Sequence, residues 1–188
     1  MAREPLVTLV AHEIGAMDQF AAYLNRGFSI LFRHWIAAAS IWALVTVAGA
    51  VLTPWLASLG FETAAQILYW AYRPLCPQRP DHSFFIAGHK MAFEQRETAM
   101  FIAGALASPL YMLVKRTSAR VPGWLVIAAT VPMLADVASQ SVALREGDWF
   151  VRSVTGAIAV LFFALWAYPK LDADLTRSMT GHSMTTAE

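Results

Sequence analysis

A chain of 188 residues that is 57% hydrophobic and 14% charged carries more apolar surface than one water-soluble core of its size can hide, so its solvent must be largely lipid. A net charge of +1, with Lys and Arg placed near the ends of apolar runs, leaves no basic patch for nucleic acid. The single cysteine, Cys76, excludes an internal disulfide and any all-cysteine metal site within one chain.

In chain order, residues 1–34 carry Glu4, His12, Glu13, Asp18, Arg26 and Arg33 too evenly spaced to leave the uncharged core of a cleavable signal peptide. Within them Leu6, Val10, Ile14, Met17, Phe20, Ala21, Leu24 and Phe28 recur at roughly helical spacing, the pattern of an amphipathic helix lying in the membrane surface. Residues 35–60 have no charge and are long enough to cross a hydrocarbon core of about 30 Å. Residues 61–72 are too short to cross. Their Tyr69, Trp70 and Tyr72 belong at a headgroup boundary, so a second interfacial helix is expected there. Residues 98–114 form a second span stopped by Lys115 and Arg116, and 121–144 a third that contains Asp136. Residues 149–168 form a fourth, with Arg152 near its start and an end at Pro169 and Lys170, followed by a polar tail over 170–188. Lipid leaves no partner for free backbone groups, so Pro54, Pro109 and Pro132 predict kinks, not breaks.

The expected fold is therefore all-α: four transmembrane helices over residues 35–169, preceded by the amphipathic segment 1–34. With the N-terminus inside, Arg3, Arg26, Arg33, Lys115, Arg116, Arg120, Lys170 and Arg177 lie inside. Arg73, Arg79, Lys90, Arg96 and Arg145 lie outside, which favours both termini in the cytoplasm.

Two spans separate the 61–97 and 145–148 loops, so both lie on one side whatever the orientation. Asp136 and Arg152 are each nearer that face than the other. A charge in lipid is costly unless paired, and an Asp136–Arg152 ion pair between the third and fourth spans is the simplest account. It would either set helix registry, the reading favoured here, or serve a proton or substrate pathway.

The second polar concentration runs Cys76-Pro77-Gln78-Arg79-Pro80-Asp81-His82-Ser83-Phe84-Phe85, then Gly88-His89, then Glu94-Gln95-Arg96-Glu97-Thr98. Further on stand Pro132, Asp136, Gln140, Arg152, Thr155 and Gly156. In order and spacing this resembles the prokaryotic membrane proteins grouped as domain of unknown function 2085. Their pattern is Cys-His-Gln-x-Pro-x-x-Ser-Phe, Gly-His-Gln and Cys-Ala-Arg-Cys-Thr-Gly, then Pro, Asp-Gly and Gln in one helix and Arg-x-x-Thr-Gly in the next. The chain departs from that pattern where the family has its thiols: Pro77 replaces a His, and Glu94 and Glu97 replace both cysteines of the Cys-x-x-Cys. Three thiols and a His would suit a soft metal or redox chemistry in a typical member; this chain keeps one thiol. Cys76, His89, Glu94 and Glu97 remain as candidates for a harder metal site. The role favoured for the two acids is to complement the dipole at the start of the second span and to pair with Arg79 or Arg96. No metal and no cofactor is expected. No histidine sits at mid-span to grip a haem, and the small residues Ala103, Gly104, Ala107 and Ser108 would let helices approach, inside the chain or with a partner.

Two functions suit such a chain. It retains the family's structural residues while losing its thiols, which suggests a non-catalytic accessory subunit of a larger membrane complex. A respiratory or photosynthetic electron-transfer complex of the prokaryotic cytoplasmic membrane is the assembly expected, with integral membrane subunits and lipid as partners. The alternative is a self-sufficient membrane enzyme or transporter using an outer-face site of Cys76, His89, Glu94, Glu97, Asp136 and Arg152.

Overall fold

The computed structural model describes residues 34–115, 121–142 and 146–185, so the expected amphipathic helix over 1–34 lies outside the described residues. The chain divides into two units, Met1–Ala38 and Ala39–Glu188, and the packing below is that of the second. Its elements are α1 (Trp35–Ser58), α2 (Glu62–Tyr72), a 3-10 turn (Pro80–His82), β1 (Ser83–Ile86), β2 (His89–Glu94), α3 (Gln95–Lys115), α4 (Gly123–Ser141) and α5 (Trp149–Thr185).

By length and composition, three helices among the described residues can cross a membrane: Trp35–Ser58, Gly123–Ser141 and Trp149–Leu175. The second of the four expected spans corresponds to the helix α3, which is not one of these three. Each helix continues through its proline, at Pro54, Pro109, Pro132 and Pro169. The last of these corrects the expected stop of the fourth span: α5 runs past Pro169 and Lys170 to Thr185, so the polar tail begins as a continuation of that helix. At its other end α5 is capped by Asp148, whose Oδ1 accepts the N–H of Phe150 at 2.8 Å and of Val151 at 3.0 Å.

Side-chain contacts give the directions of the helices. Along α3 and α5, Ser153 meets Gln95, Gly104 faces Val160, the rings of Tyr111 and Tyr168 touch, and Lys115 pairs with Asp172. Both sequences advance together, so these helices are parallel. Gln140 meets Arg152 and Gly123 meets Trp166, which makes α4 antiparallel to α5. Ser40 donates to the carbonyl of Ala105 and contacts the Ser108 hydroxyl, while Trp42 packs on Phe101, which makes α1 antiparallel to α3. Ala103, Ala107 and Ser108 are buried, so the small-residue stripe of α3 is used within the chain.

An all-α chain was expected, but residues 83–94 form an antiparallel hairpin that pairs Phe85 with Lys90 and Ile86 with His89. Its two-residue turn, Ala87-Gly88, has φ of 49° and 81°. Positive φ at both positions matches the right-handed twist of the flanking strands, and glycine adopts it without strain. The hairpin is anchored by Phe93, which is fully buried, stacks on Phe101 of α3 and meets the edge of Tyr72 of α2. Ala50, Cys76 and Ala92 complete this small core. Tyr72 also donates to the carbonyl of Thr46, 2.7 Å away in α1, and fills the space over Gly49, where a Cβ would fall 2.2 Å from its hydroxyl. The short helix α2 is thereby folded back along α1.

Candidate functional site

The hairpin delivers Glu94 to the first turn of α3, and the parallel course of α3 and α5 brings that turn beside the first turn of α5. Residues distant in sequence converge there in two adjoining groups, both on the side of the 76–94 segment.

The first group surrounds Asp136, which is buried. Arg96 Nη2 donates to Asp136 Oδ2 at 2.6 Å in an ion pair whose side chains are 18% and 2% exposed. Arg96 is thus a cation bonded to Asp136, the acid expected to pair with Arg152. Arg152 instead joins three elements: Nε donates to Gln140 Oε1 at 2.9 Å, and Nη1 donates to Gln95 Oε1 at 3.2 Å and to the carbonyl of Asp81 at 3.3 Å. Two glycines make room for the two guanidinium chains. A Cβ at Gly147 would fall 1.9 Å from Arg152 Nη2, and one at Gly156 would fall 2.8 Å from Arg96 Cγ. Gln95 and Arg96 are the members that sequence reasoning left out of this cluster. The signal was present: one and two residues into α3, they lie at the depth at which Arg152 enters α5.

The bond from Arg152 to Asp81 and the contact of the Phe84 and Trp149 rings, 6.1 Å between centroids, put the 76–94 segment and the start of α5 on one side. That is the arrangement expected from an even number of intervening spans.

The second group is Cys76, Glu94 and Glu97. Cys76 Sγ and one carboxylate oxygen of each acid lie within 4.8 Å of one another. His89, the fourth candidate ligand, is exposed beside the hairpin turn and does not join them. Glu94 Oε1 accepts from the Arg79 backbone N–H at 3.0 Å and from Arg79 Nε at 3.4 Å, which realises one of the expected acid–arginine pairs. Glu94 Oε2 lies 3.4 Å from His82 Nδ1. The Glu94 N–H in turn donates to Cys76 Sγ at 3.3 Å.

Burial pushes the Cys76 thiol above its ordinary range. Hydrogen bonds from the Gln78 and Glu94 backbones oppose that shift, and the charges of Glu97 and Glu94 add to it. The sulfur is therefore a protonated, weakly reactive thiol near neutral pH. His82 moves below its ordinary range, first by burial and then by the Arg152 and Arg79 charges, against the opposing pull of Asp81 and Glu94. Neutral near pH 7, its ring carries a single N–H and can donate to only one of those two acids at a time.

A thiol and two carboxylates this close can surround one hard or borderline cation, or share a proton. Three donors make an incomplete tetrahedral set, and both oxygens of Glu94 already have protein partners. Arg96 Nε, Gln140 Nε2 and Glu97 Oε2 are buried polar atoms without a hydrogen-bond partner among the described residues.

The family described as predicted membrane proteins (DUF2085) matches residues 76–166, a segment that contains every residue of both groups. An uncharacterized protein of Methanocaldococcus jannaschii is 34% identical over 124 residues, covering 61% of this chain and 80% of that protein. No solved structure matches.

Proposed function

This chain belongs to the DUF2085 family of membrane proteins, and from that premise we propose that it acts as a non-catalytic accessory subunit of a larger membrane protein complex. The observation that carries this reading is how the polar residues are used. Arg152 bonds at once to α3, α4 and the loop before the hairpin, and Arg96 takes Asp136, so the groups best suited to chemistry lock an outer loop onto three helices. Such a knot supports a rigid scaffold. The helices also leave broad apolar faces uncovered within the chain: only 11% of the membrane-crossing stretch of α4 is buried, and 28% of those of α1 and α5. Lipid or neighbouring subunits must cover them.

A fourth crossing by α3 belongs to the same proposal. α3 starts level with α5 and ends beside Asp172, so a membrane crossed by α5 is crossed by α3 as well. Its few charges are at its ends, where Arg96 and Glu97 meet the outer polar cluster and Lys115 meets Asp172. With the basic residues placed as above, both termini lie in the cytoplasm of a prokaryotic cell.

Purification in mild detergent followed by native mass spectrometry tests the reading. The chain is expected to travel with other integral subunits, and haem or iron–sulfur subunits among them would identify an electron-transfer assembly. The convergence of Cys76, Glu94 and Glu97 favours one other function, a stand-alone membrane enzyme or transporter with an outer-face metal site. A lone monomer holding about one metal ion per chain, lost on Glu97→Gln, would establish that function and overturn the subunit reading.

A further inference from the structure

Between α2 and the hairpin lies a cleft of about 410 Å³, lined by Gln66, Tyr69, Trp70, Arg73, Gln78 and Lys90. It is separate from both polar groups described above. We propose that this cleft binds the phosphate of an anionic phospholipid headgroup.

Its chemistry is one-sided. Arg73 and Lys90 are its charged residues, no acid lines it, and neither cation makes a salt bridge with an acid among the described residues. Lys90 is held in place without being neutralised. Its Nζ donates to the carbonyl of Gln78 at 2.6 Å and stands 5.7 Å from the centre of the Tyr69 ring, which leaves ammonium hydrogens for another acceptor. The ring is positioned in turn, because Tyr69 donates to the Lys90 carbonyl and Gln78 Nε2 donates to the Tyr69 carbonyl at 2.7 Å. Gln78 reaches this place with a φ of 61°, an unusual conformation for a residue other than glycine. A guanidinium fork, an ammonium and an amide around one cavity suit a phosphate, which offers several acceptor oxygens and a negative charge.

Position identifies the source of the phosphate. Phe93, three residues after Lys90, stacks on Phe101 in α3, and Tyr72, next to Arg73, bonds to Thr46 in α1. The cleft therefore lies beside the start of α3, and on the crossing by α3 proposed above, on which this step rests, that is where the helix meets the headgroups. On the same short helix Trp70 is 75% and Ile67 is 62% exposed, an aromatic and an aliphatic anchor one turn apart. A free phosphate in water would have no use for that apolar rim; a lipid brings acyl chains to cover it.

The test uses the full chain in detergent micelles, titrated with phosphatidylglycerol and read by native mass spectrometry. One phosphatidylglycerol is expected to bind saturably and in preference to phosphatidylcholine. Arg73→Gln and Lys90→Gln should each weaken it about fivefold, and Arg177→Gln, at an exposed cation of α5, should leave it unchanged. Because Lys90 also supports the Gln78 loop, Arg73→Gln is the deciding variant, compared at equal thermal stability with the parent chain. Equal retention of the two lipids, or unchanged affinity in Arg73→Gln, would overturn the proposal. So would binding of inorganic phosphate alone at the cleft with no binding of phosphatidylglycerol, since the ligand would then be a free anion.

Discussion

Arg96 and Asp136 are 40 positions apart and form a largely buried ion pair, so their energetics differ from those of a surface bridge. Removing one partner takes a close counter-charge from the other in a largely buried site, which costs up to about 3–5 kcal/mol, whereas removing both to groups of similar shape costs much less. Thermal stability in detergent of Arg96→Gln, Asp136→Asn and the double variant is expected to show strong coupling. Additive losses would mean that the pair is not the principal partner of either group. Arg152→Gln combined with Asp136→Asn should couple more weakly, because the bonds of Arg152 go to Gln140, Gln95 and Asp81.

At the scale of elements, the junction of α3 and α5 depends on one missing side chain. A Cβ on Gly156 would stand 2.8 Å from Arg96 Cγ, 3.1 Å from Met100 Cγ and 3.3 Å from the Arg96 carbonyl oxygen. Arg96 cannot swing away freely, because its guanidinium is tied to Asp136. Gly156→Ala should therefore destabilise the protein by about 1–3 kcal/mol, the usual cost of overpacking, and should loosen the Arg96–Asp136 pair at the same time. Gly104→Ala, whose Cβ would meet only Val160 Cγ1 at an ordinary 3.6 Å, is the internal control and should cost little. Equal losses in the two variants, measured by thermal unfolding, would refute this account.

For the molecule as a whole, the helix directions give a single alternation. Single cysteines placed at Asp81 and Glu146 in a Cys76→Ser background should react with an impermeant thiol reagent from one side of the membrane, and cysteines at Lys115 and Lys170 from the other. From the positive-inside bias, the first pair is expected to react from outside. Labelling of positions 81 and 115 from the same side would remove the fourth crossing by α3.

Membrane residence, the positions of the helices and the family resemblance could be read from the sequence alone, because each rests on local properties. An apolar run, its flanking charges and a motif of fixed spacing mean the same wherever they fall in the fold. The residues of the polar cluster were legible too, since polar groups beside apolar spans are few. Their partners were not. Arg96 reaches Asp136 because the first turns of α3 and α5 pack side by side, with Gly156 against Arg96, a juxtaposition that distance along the chain does not reveal. The hairpin announced itself only in Ala87-Gly88, a two-residue turn signal in a segment whose neighbours look helical or irregular. It took the docking of Phe93 between Tyr72 and Phe101 to hold those strands in place. The exclusion of His89 from the thiol and carboxylates follows from the same turn: pairing with Ile86 carries His89 to the exposed end of the hairpin, while Glu94, five residues on, is drawn into the core.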